Sequence, residues 1–367
     1  MTIETVLHDR QVARGAVMRD VADYVMPARY GEVGAEVRAA RERAGLFDLS
    51  HAGRVFVSGP HAAELLGRVL TRDPLALTPG QGHVSLMLDG QAGILDRVQL
   101  YRLGPERWML VLTPERVEQN IACIQAHMAP EWNQRVDERR AGTTLLALAG
   151  PGARHVVGAV LSREIEGRLA WGEITEVAIA GHKATIARTS ITGEDGFEIV
   201  AGTDAGVELW DAFMQAAVVP CGLDALDLLR LEAAIPVAGR DLTREIDPFT
   251  AGLDGLVSVE SAREFVGRAA LAGQHEASHR RRVCVRASDL ECRFRDGVRL
   301  FVSGENVGHL TSTGFSPTLG VSIGMGYVGR GFAVPGTVLT VDSGGDSAEA
   351  VVVQPPFVHG SAGQTIG

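Results

Sequence analysis

Ala184-Thr185-Ile186-Ala187-Arg188-Thr189-Ser190-Ile191-Thr192-Gly193-Glu194-Asp195-Gly196-Phe197-Glu198-Ile199-Val200-Ala201 reads as two strands folded back on one another. Ala184 to Ile191 can pair with Phe197 to Ala201 across the polar turn Thr192 to Gly196. Strand residues alternate between faces, so Phe197 and Ile199 look one way and Glu198 the other. A hairpin of this kind interrupts any strict strand-helix-strand alternation, and the fold class it predicts is mixed α+β rather than a doubly wound parallel sheet.

Working outward, the segments on the N-terminal side alternate strands with helices. Val33, Val37, Ala40 and Ala44 recur at helical spacing with Gly45 as a stop, which predicts an amphipathic helix. Arg54 to Gly59 reads as a strand, with Pro60 opening a helix striped by Leu65, Leu66, Val69 and Leu70. Trp108 to Leu112 is a further strand, and Thr113-Pro114-Glu115 opens the helix behind it. Leu145 to Ala149 ends at Gly150-Pro151, and a helix runs from Asp224 to Ala234. After a polar stretch from Gln274 to Arg282 only short strands remain: Val283 to Arg286, Val298 to Val302, Val307 to Leu310, Gly324 to Val328, Val338 to Val341 and Ala348 to Val353. That pattern predicts a small all-β domain, a barrel, at the C-terminus. The organisation expected is a module over 1–278 built from two interwoven α+β subdomains, and a β-barrel domain over 279–367.

The chain has 367 residues, 46% of them hydrophobic and 22% charged, and its net charge is −10. This describes a globular multidomain protein. A globally acidic surface repels nucleic acid and anionic membranes, and no apolar run is long enough to span a bilayer. A cytoplasmic protein with no nucleic-acid or membrane partner is expected. Cys123, Cys221, Cys284 and Cys292 share no metal-ligand spacing, so reduced thiols and no metal site are expected. The cluster His279-Arg280-Arg281-Arg282 reads as a solvated linker.

No dinucleotide fingerprint, phosphate-binding loop, nucleophile triad or zinc signature occurs. Three local features carry charge in places worth weighing. Gly90 to Arg97 is a turn running into a strand, where neighbouring Asp96 and Arg97 must point to opposite faces. The plain reading is one buried and one solvated charge. Glu198 on the hairpin has an exposed glutamate as its plain reading. Asp227 and Arg230, three apart on a helix, can form an ordinary surface pair.

Taken in order, several segments give the chain a stronger signature. They are Met26-Pro27-Ala28-Arg29-Tyr30, Ala44-Gly45-Leu46-Phe47-Asp48-Leu49-Ser50-His51, Thr192 to Glu198, Cys221-Gly222-Leu223-Asp224-Ala225 leading to Leu229-Arg230-Leu231-Glu232-Ala233, Phe265 to Leu271, Gly314 to Leu319, Gly324 to Val328 and Pro356-Phe357-Val358. Together they resemble the glycine cleavage T-protein (aminomethyltransferase) superfamily along nearly the whole chain. The resemblance implies a multidomain cloverleaf with a C-terminal barrel, closed around a central channel that holds tetrahydrofolate. It implies that Glu198 binds the pterin edge, a role suited to a carboxylate that accepts two parallel N–H bonds. It also places Arg230 in the folate site.

The same resemblance marks departures. The family's Gly-Gly-Ile-x-Asp-Asp segment aligns on Ala92 to Arg97, so Arg97 stands at the catalytic aspartate, with Asp96 beside it as the only nearby carboxylate. Cofactor-lining tyrosines align on Val84 and Ile191, an asparagine on Thr113, and a methionine on Ala52. An arginine cannot act as a general base. The function expected is tetrahydrofolate-dependent transfer of an aminomethyl, methyl or hydroxymethyl unit involving a small, anionic substrate. A carrier protein is a further candidate partner. Two alternatives remain: a non-catalytic folate-binding protein, and an enzyme whose channel takes another ligand. Arg263 to Arg268 departs from the Lys-Gly-Cys-Tyr-x-Gly-Gln-Glu pattern of the iron-sulfur assembly relatives, which disfavours that branch of the non-catalytic class.

Overall fold

The computed structural model describes residues 2–179, 181–258, 263–272, 278–342 and 347–362. Residues 274–277 of the polar stretch between the two expected domains lie outside the described residues. Two sheets make up most of the N-terminal part. One is antiparallel, with strand order Gln81–Leu88, Ile94–Gly104, Arg107–Leu112, Gly53–Ser58, Arg135–Glu138. The other runs Ile174–Ile179, His182–Thr189, Gly196–Gly202, Thr143–Ala149, Gly45–Asp48, Val219–Cys221. The hairpin is present in the second sheet, with Ile186 opposite Ile199 and Ala187 opposite Glu198.

Strand alternation decides how these sheets stack. In the first, Val55, Val57, Val98, Leu100, Leu110 and Leu112 bury against the helices Ala62–Val69 and Val117–Ala126. In the second, Leu146, Leu148, Ile186, Phe197 and Ile199 do the same against the helix Thr203–Gln215. The opposite faces meet each other: Tyr101, Met109 and Val111 from one sheet share a core with Phe47, Leu145, Ala147 and Val200 from the other. The helices Ala62–Val69, Val117–Ala126 and Thr203–Gln215 therefore lie outside, while Val37 and Ala40 of the helix Val33–Glu42 and Ala225 and Leu229 of the helix Leu223–Glu232 pack with the two inner faces.

A third unit follows. Strands Arg280–Ala287, Val321–Gly329, Glu305–Ser316, Arg299–Val302, Val338–Asp342 and Ser347–Val353 close into a barrel around Val285, Leu300, Leu310, Ile323, Met325 and Leu339. Closure leaves no free sheet edge. Leu231 and Ala234, from the end of the helix Leu223–Glu232, are packed into the same core.

The basic cluster is not a solvated linker. Arg280 to Arg286 pair in register with Gly329 back to Ile323, so the arginines belong to a barrel strand. Arg281 donates to the Phe249 carbonyl, and Arg282 donates to the carbonyls of Ala251 (2.6 Å) and Ala234 (2.9 Å). Carbonyls at the ends of turns need donors, and the guanidinium fork supplies several at once. Among the described residues no helix is long and apolar enough to cross a membrane. Cys221, Cys284 and Cys292 are buried and Cys123 is half-buried, all as free thiols.

Candidate functional site

The inter-sheet space carries the polar groups the sequence singled out, sorted by which way their strands turn them. Glu198 is buried and points away from Phe197 and Ile199, into the space. Its cross-strand neighbours are Ala147 and Ala187, the smallest side chains that strand positions of this kind carry apart from glycine. From the facing sheet, Tyr101 donates its hydroxyl to Glu198 Oε2 at 3.0 Å. No described residue donates to Oε1, which is thus left as an acceptor. Burial pushes the Glu198 carboxyl up to about 7, opposed by the Tyr101 hydrogen bond and the Arg97 charge.

Tyr101 escaped the sequence reading. Two residues at a time along its strand, Arg97, Gln99 and Tyr101 share a face, and that periodicity was the available signal. A local packing feature seats the ring. Gly82 lies opposite Tyr101, and a Cβ there would sit 2.2 Å from Tyr101 Cδ1, so only glycine lets the ring lie flat against the strand.

Arg97 shares that face, and its charge acts on Glu198. Its Nε is buried without a hydrogen-bond partner, and among the described residues no carboxylate closes an ion pair with the guanidinium. Burial lowers Arg97 to about 10, with the nearby Arg282 charge adding to the effect and Asp96 and Glu198 opposing it. It remains a cation at neutral pH. Arg282 comes from the barrel, so the centre draws on both sheets and the third unit.

Asp96 is turned to the other side. It is fully buried and accepts four hydrogen bonds: from Arg97 N (2.8 Å), Thr113 N (3.1 Å), Thr113 Oγ1 (2.6 Å) and Asn120 Nδ2 (2.6 Å). Burial raises its carboxyl to about 6 in spite of those donors. The carboxylate ties the strand Ile94–Gly104 to the start of the helix Val117–Ala126, and Thr113 acts with it. Both are occupied away from Glu198. Val84 is half-buried and shares a face with Arg97 and Tyr101 through its pairing with Gln99. Ile191 is half-buried at the edge of the inter-sheet core that includes Tyr101.

Arg230 lies elsewhere. It is buried at the barrel interface, where its guanidinium donates to Asp227 (2.8 Å), Asp241 (2.8 Å), Ser312 (2.9 Å) and the Ile235 carbonyl (3.3 Å). Asp241 also accepts from Thr311 (2.5 Å) and Ser312 (2.6 Å). This is neither a surface pair nor a free ligand contact. A second tie runs parallel: Arg41 binds Glu194 and Glu232, and Glu232 accepts from Ser316 of the barrel at 2.5 Å. Such buried charges are tolerated because each is met by several partners.

The fold and site define a protein of two packed α/β sheets and a small barrel, with the buried Glu198 carboxylate and, among the described residues, the unpaired Arg97 guanidinium on the inner faces. Family models match this division: the GCVT N-terminal domain over residues 7–261 and the glycine cleavage T-protein C-terminal barrel domain over residues 280–359. The chain is 38% identical to an aminomethyltransferase of Streptomyces coelicolor over 361 residues, covering 96% of each. It is 32% identical to an aminomethyltransferase of Bacillus subtilis, covering 97% of this chain and 99% of that one. The crystal structure of glycine cleavage system aminomethyltransferase T from Bartonella henselae superposes with a TM-score of 0.90 at 31% identity, covering 98% and 99% of the two chains. The chain belongs to the glycine cleavage T-protein family.

Proposed function

We propose that this protein transfers a one-carbon unit to or from tetrahydrofolate, and that its other substrate is a small anion rather than a carrier-bound aminomethyl cation. The observation that carries the reading is Arg97: a cation with a buried, unpartnered Nε, whose charge acts on Glu198 from a position where the family pattern has an acid. A fixed guanidinium repels an ammonium and receives a carboxylate or phosphate through two parallel N–H bonds.

The residues fit a pterin. Glu198 offers a buried acceptor oxygen, flanked across the strands by the small side chains of Ala147 and Ala187. Tetrahydrofolate supplies the nitrogens that carry the one-carbon unit. Glu198 holds its row of donors, Tyr101 fixes the carboxylate, Val84 and Ile191 provide apolar walls, and Arg97 orients the anionic partner. Catalysis of this kind rests on positioning, with no base required at Arg97. Arg230, Asp96 and Thr113 hold the frame.

The test supplies the protein with tetrahydrofolate and, in parallel, a lipoyl-bound aminomethyl donor and a panel of small carboxylates and phosphates bearing aminomethyl, hydroxymethyl or methyl groups. Formation of a one-carbon tetrahydrofolate from an anionic donor is expected, and ammonia release from the lipoyl donor is not. Robust turnover of the lipoyl donor that Arg97→Asp leaves unchanged would sink the proposal. Tetrahydrofolate binding without turnover of any donor would favour a non-catalytic binder. Failure to bind tetrahydrofolate would favour a channel used for another ligand.

A further inference from the structure

A second cluster of positive charge lies on the other side of the same strand, outside the centre just described. A cavity of about 320 Å³ is walled by Ile94 and Leu95 at the strand's start, Arg116 and Gln119 at the beginning of the following helix, and Arg244 and Glu245 on a loop. Among the described residues neither Arg116 nor Arg244 forms an ion pair, although Glu245 shares the cavity. Arg116 Nε and Gln119 Nε2 are buried donors with no partner, and the one hydrogen bond between these side chains, Arg116 Nη1 to Gln119 Oε1, is long at 3.4 Å. Unsatisfied buried donors carry a free-energy cost that an acceptor entering the cavity would relieve.

The walls are held by independent contacts. Ile94 N donates to the carbonyls of Thr243 (3.2 Å) and Ile246 (3.0 Å), which fixes the loop carrying Arg244. Asp96 clamps Thr113 and Asn120, which fixes the segment carrying Arg116 and Gln119. Arg116 also packs against the backbone at Gly239, where a Cβ would come within 2.7 Å of Nη2. Three separate stretches of chain therefore present donors to one space, and the space is too large for a single water.

We infer that this cavity is an anion-binding site, distinct from the inner centre, that takes the phosphate or carboxylate group of a small ligand on Arg116, Gln119 and Arg244. The inference does not depend on the proposed reaction, because it uses neither Glu198 nor Arg97. Two guanidiniums supply the charge, and the Gln119 amide adds a neutral donor. Glu245 opposes binding and limits the site to ligands that the two arginines can outbid.

Isothermal titration of the full-length protein with inorganic phosphate and, separately, with glutarate tests this. Binding of at least one is expected, tighter phosphate binding marking a phosphate ester as the ligand and tighter glutarate binding a carboxylate. The Arg116→Gln/Arg244→Gln protein should bind at least about tenfold more weakly. Glu245→Gln should bind about threefold more tightly, a change no merely structural role produces. All of these titrations are run in the Arg97→Met background, where the inner guanidinium is gone and only the outer site is read. Loss of the wild type's binding in that background would move the anion to the inner centre and overturn the outer site. Absence of binding by both probes, full affinity in the double variant, or no gain in Glu245→Gln would overturn it as well. Circular dichroism confirms that each variant is folded, and Arg244, exposed on its loop, serves alone as Arg244→Gln should the double variant fail to fold.

Discussion

Removing the charge of Arg97 should change the pH at which Glu198 can bind a pterin. Glu198 titrates at about 7 because burial raises it while the Tyr101 hydroxyl and the Arg97 charge hold it down. Arg97→Met keeps an apolar stem of similar reach and deletes the charge. Two unit charges roughly 6 Å apart at an effective dielectric of about 20 interact by about 3 kcal/mol, which sets an upper bound of about two pH units. The Arg97 charge is the smaller of the two effects holding Glu198 down, so half of that bound is taken and the midpoint should rise to roughly 8. At pH 7 the ionised fraction then falls from about one half to about one tenth, and tetrahydrofolate should bind about fivefold more weakly. By pH 9 the two proteins should converge. The assay is anaerobic titration calorimetry from pH 5.5 to 9.5, with Glu198→Gln as a control that should show no transition near 7. The reasoning is refuted if wild type and Arg97→Met share one midpoint, or if affinity in the wild type is flat across the range.

Other consequences follow from the same contacts. Glu198 has a folded value raised from 4.5 to about 7, so its contribution favours the native state at low pH and is lost as pH rises between those limits. Glu198→Gln should therefore stabilise the protein by about 1 to 3 kcal/mol at pH 8 and by little at pH 4, as read from urea midpoints; equal shifts at both would contradict the assignment. Asp241→Ala strips Arg230 of its buried partner and should cost about 3 to 5 kcal/mol in the same assay. Arg230→Met, where it folds, should leave tetrahydrofolate affinity within about twofold of wild type, and a loss comparable to that of Glu198→Ala, about 1.5 to 3 kcal/mol, would return Arg230 to the ligand site. Limited proteolysis near residues 273–277 should not release a folded N-terminal fragment, because Leu231, Arg230 and Glu232 rely on barrel partners.

How much of this was legible in the chain depends on the range of the physics involved. Alternation along a strand is local, so the sequence alone determined that Asp96 and Arg97 part to opposite faces and that Glu198 opposes Phe197 and Ile199. Short strands separated by turns likewise announced a C-terminal all-β unit, and the ordered motifs announced the family. Which face becomes the site is not local. Tyr101 reaches Glu198 from a residue 97 positions away, and Gly82 matters only because it lies beneath that ring. Asp227 and Arg230 are a surface pair by spacing, yet the barrel brings Ser312, and the chain's next turn brings Asp241, to bury the arginine. The run from Arg280 to Arg282 is charged enough to suggest solvent, but register with Tyr327 to Gly329 makes it a strand. Burial and partnering are sums over remote segments, and those sums exist only once the sheets and barrel have closed on one another.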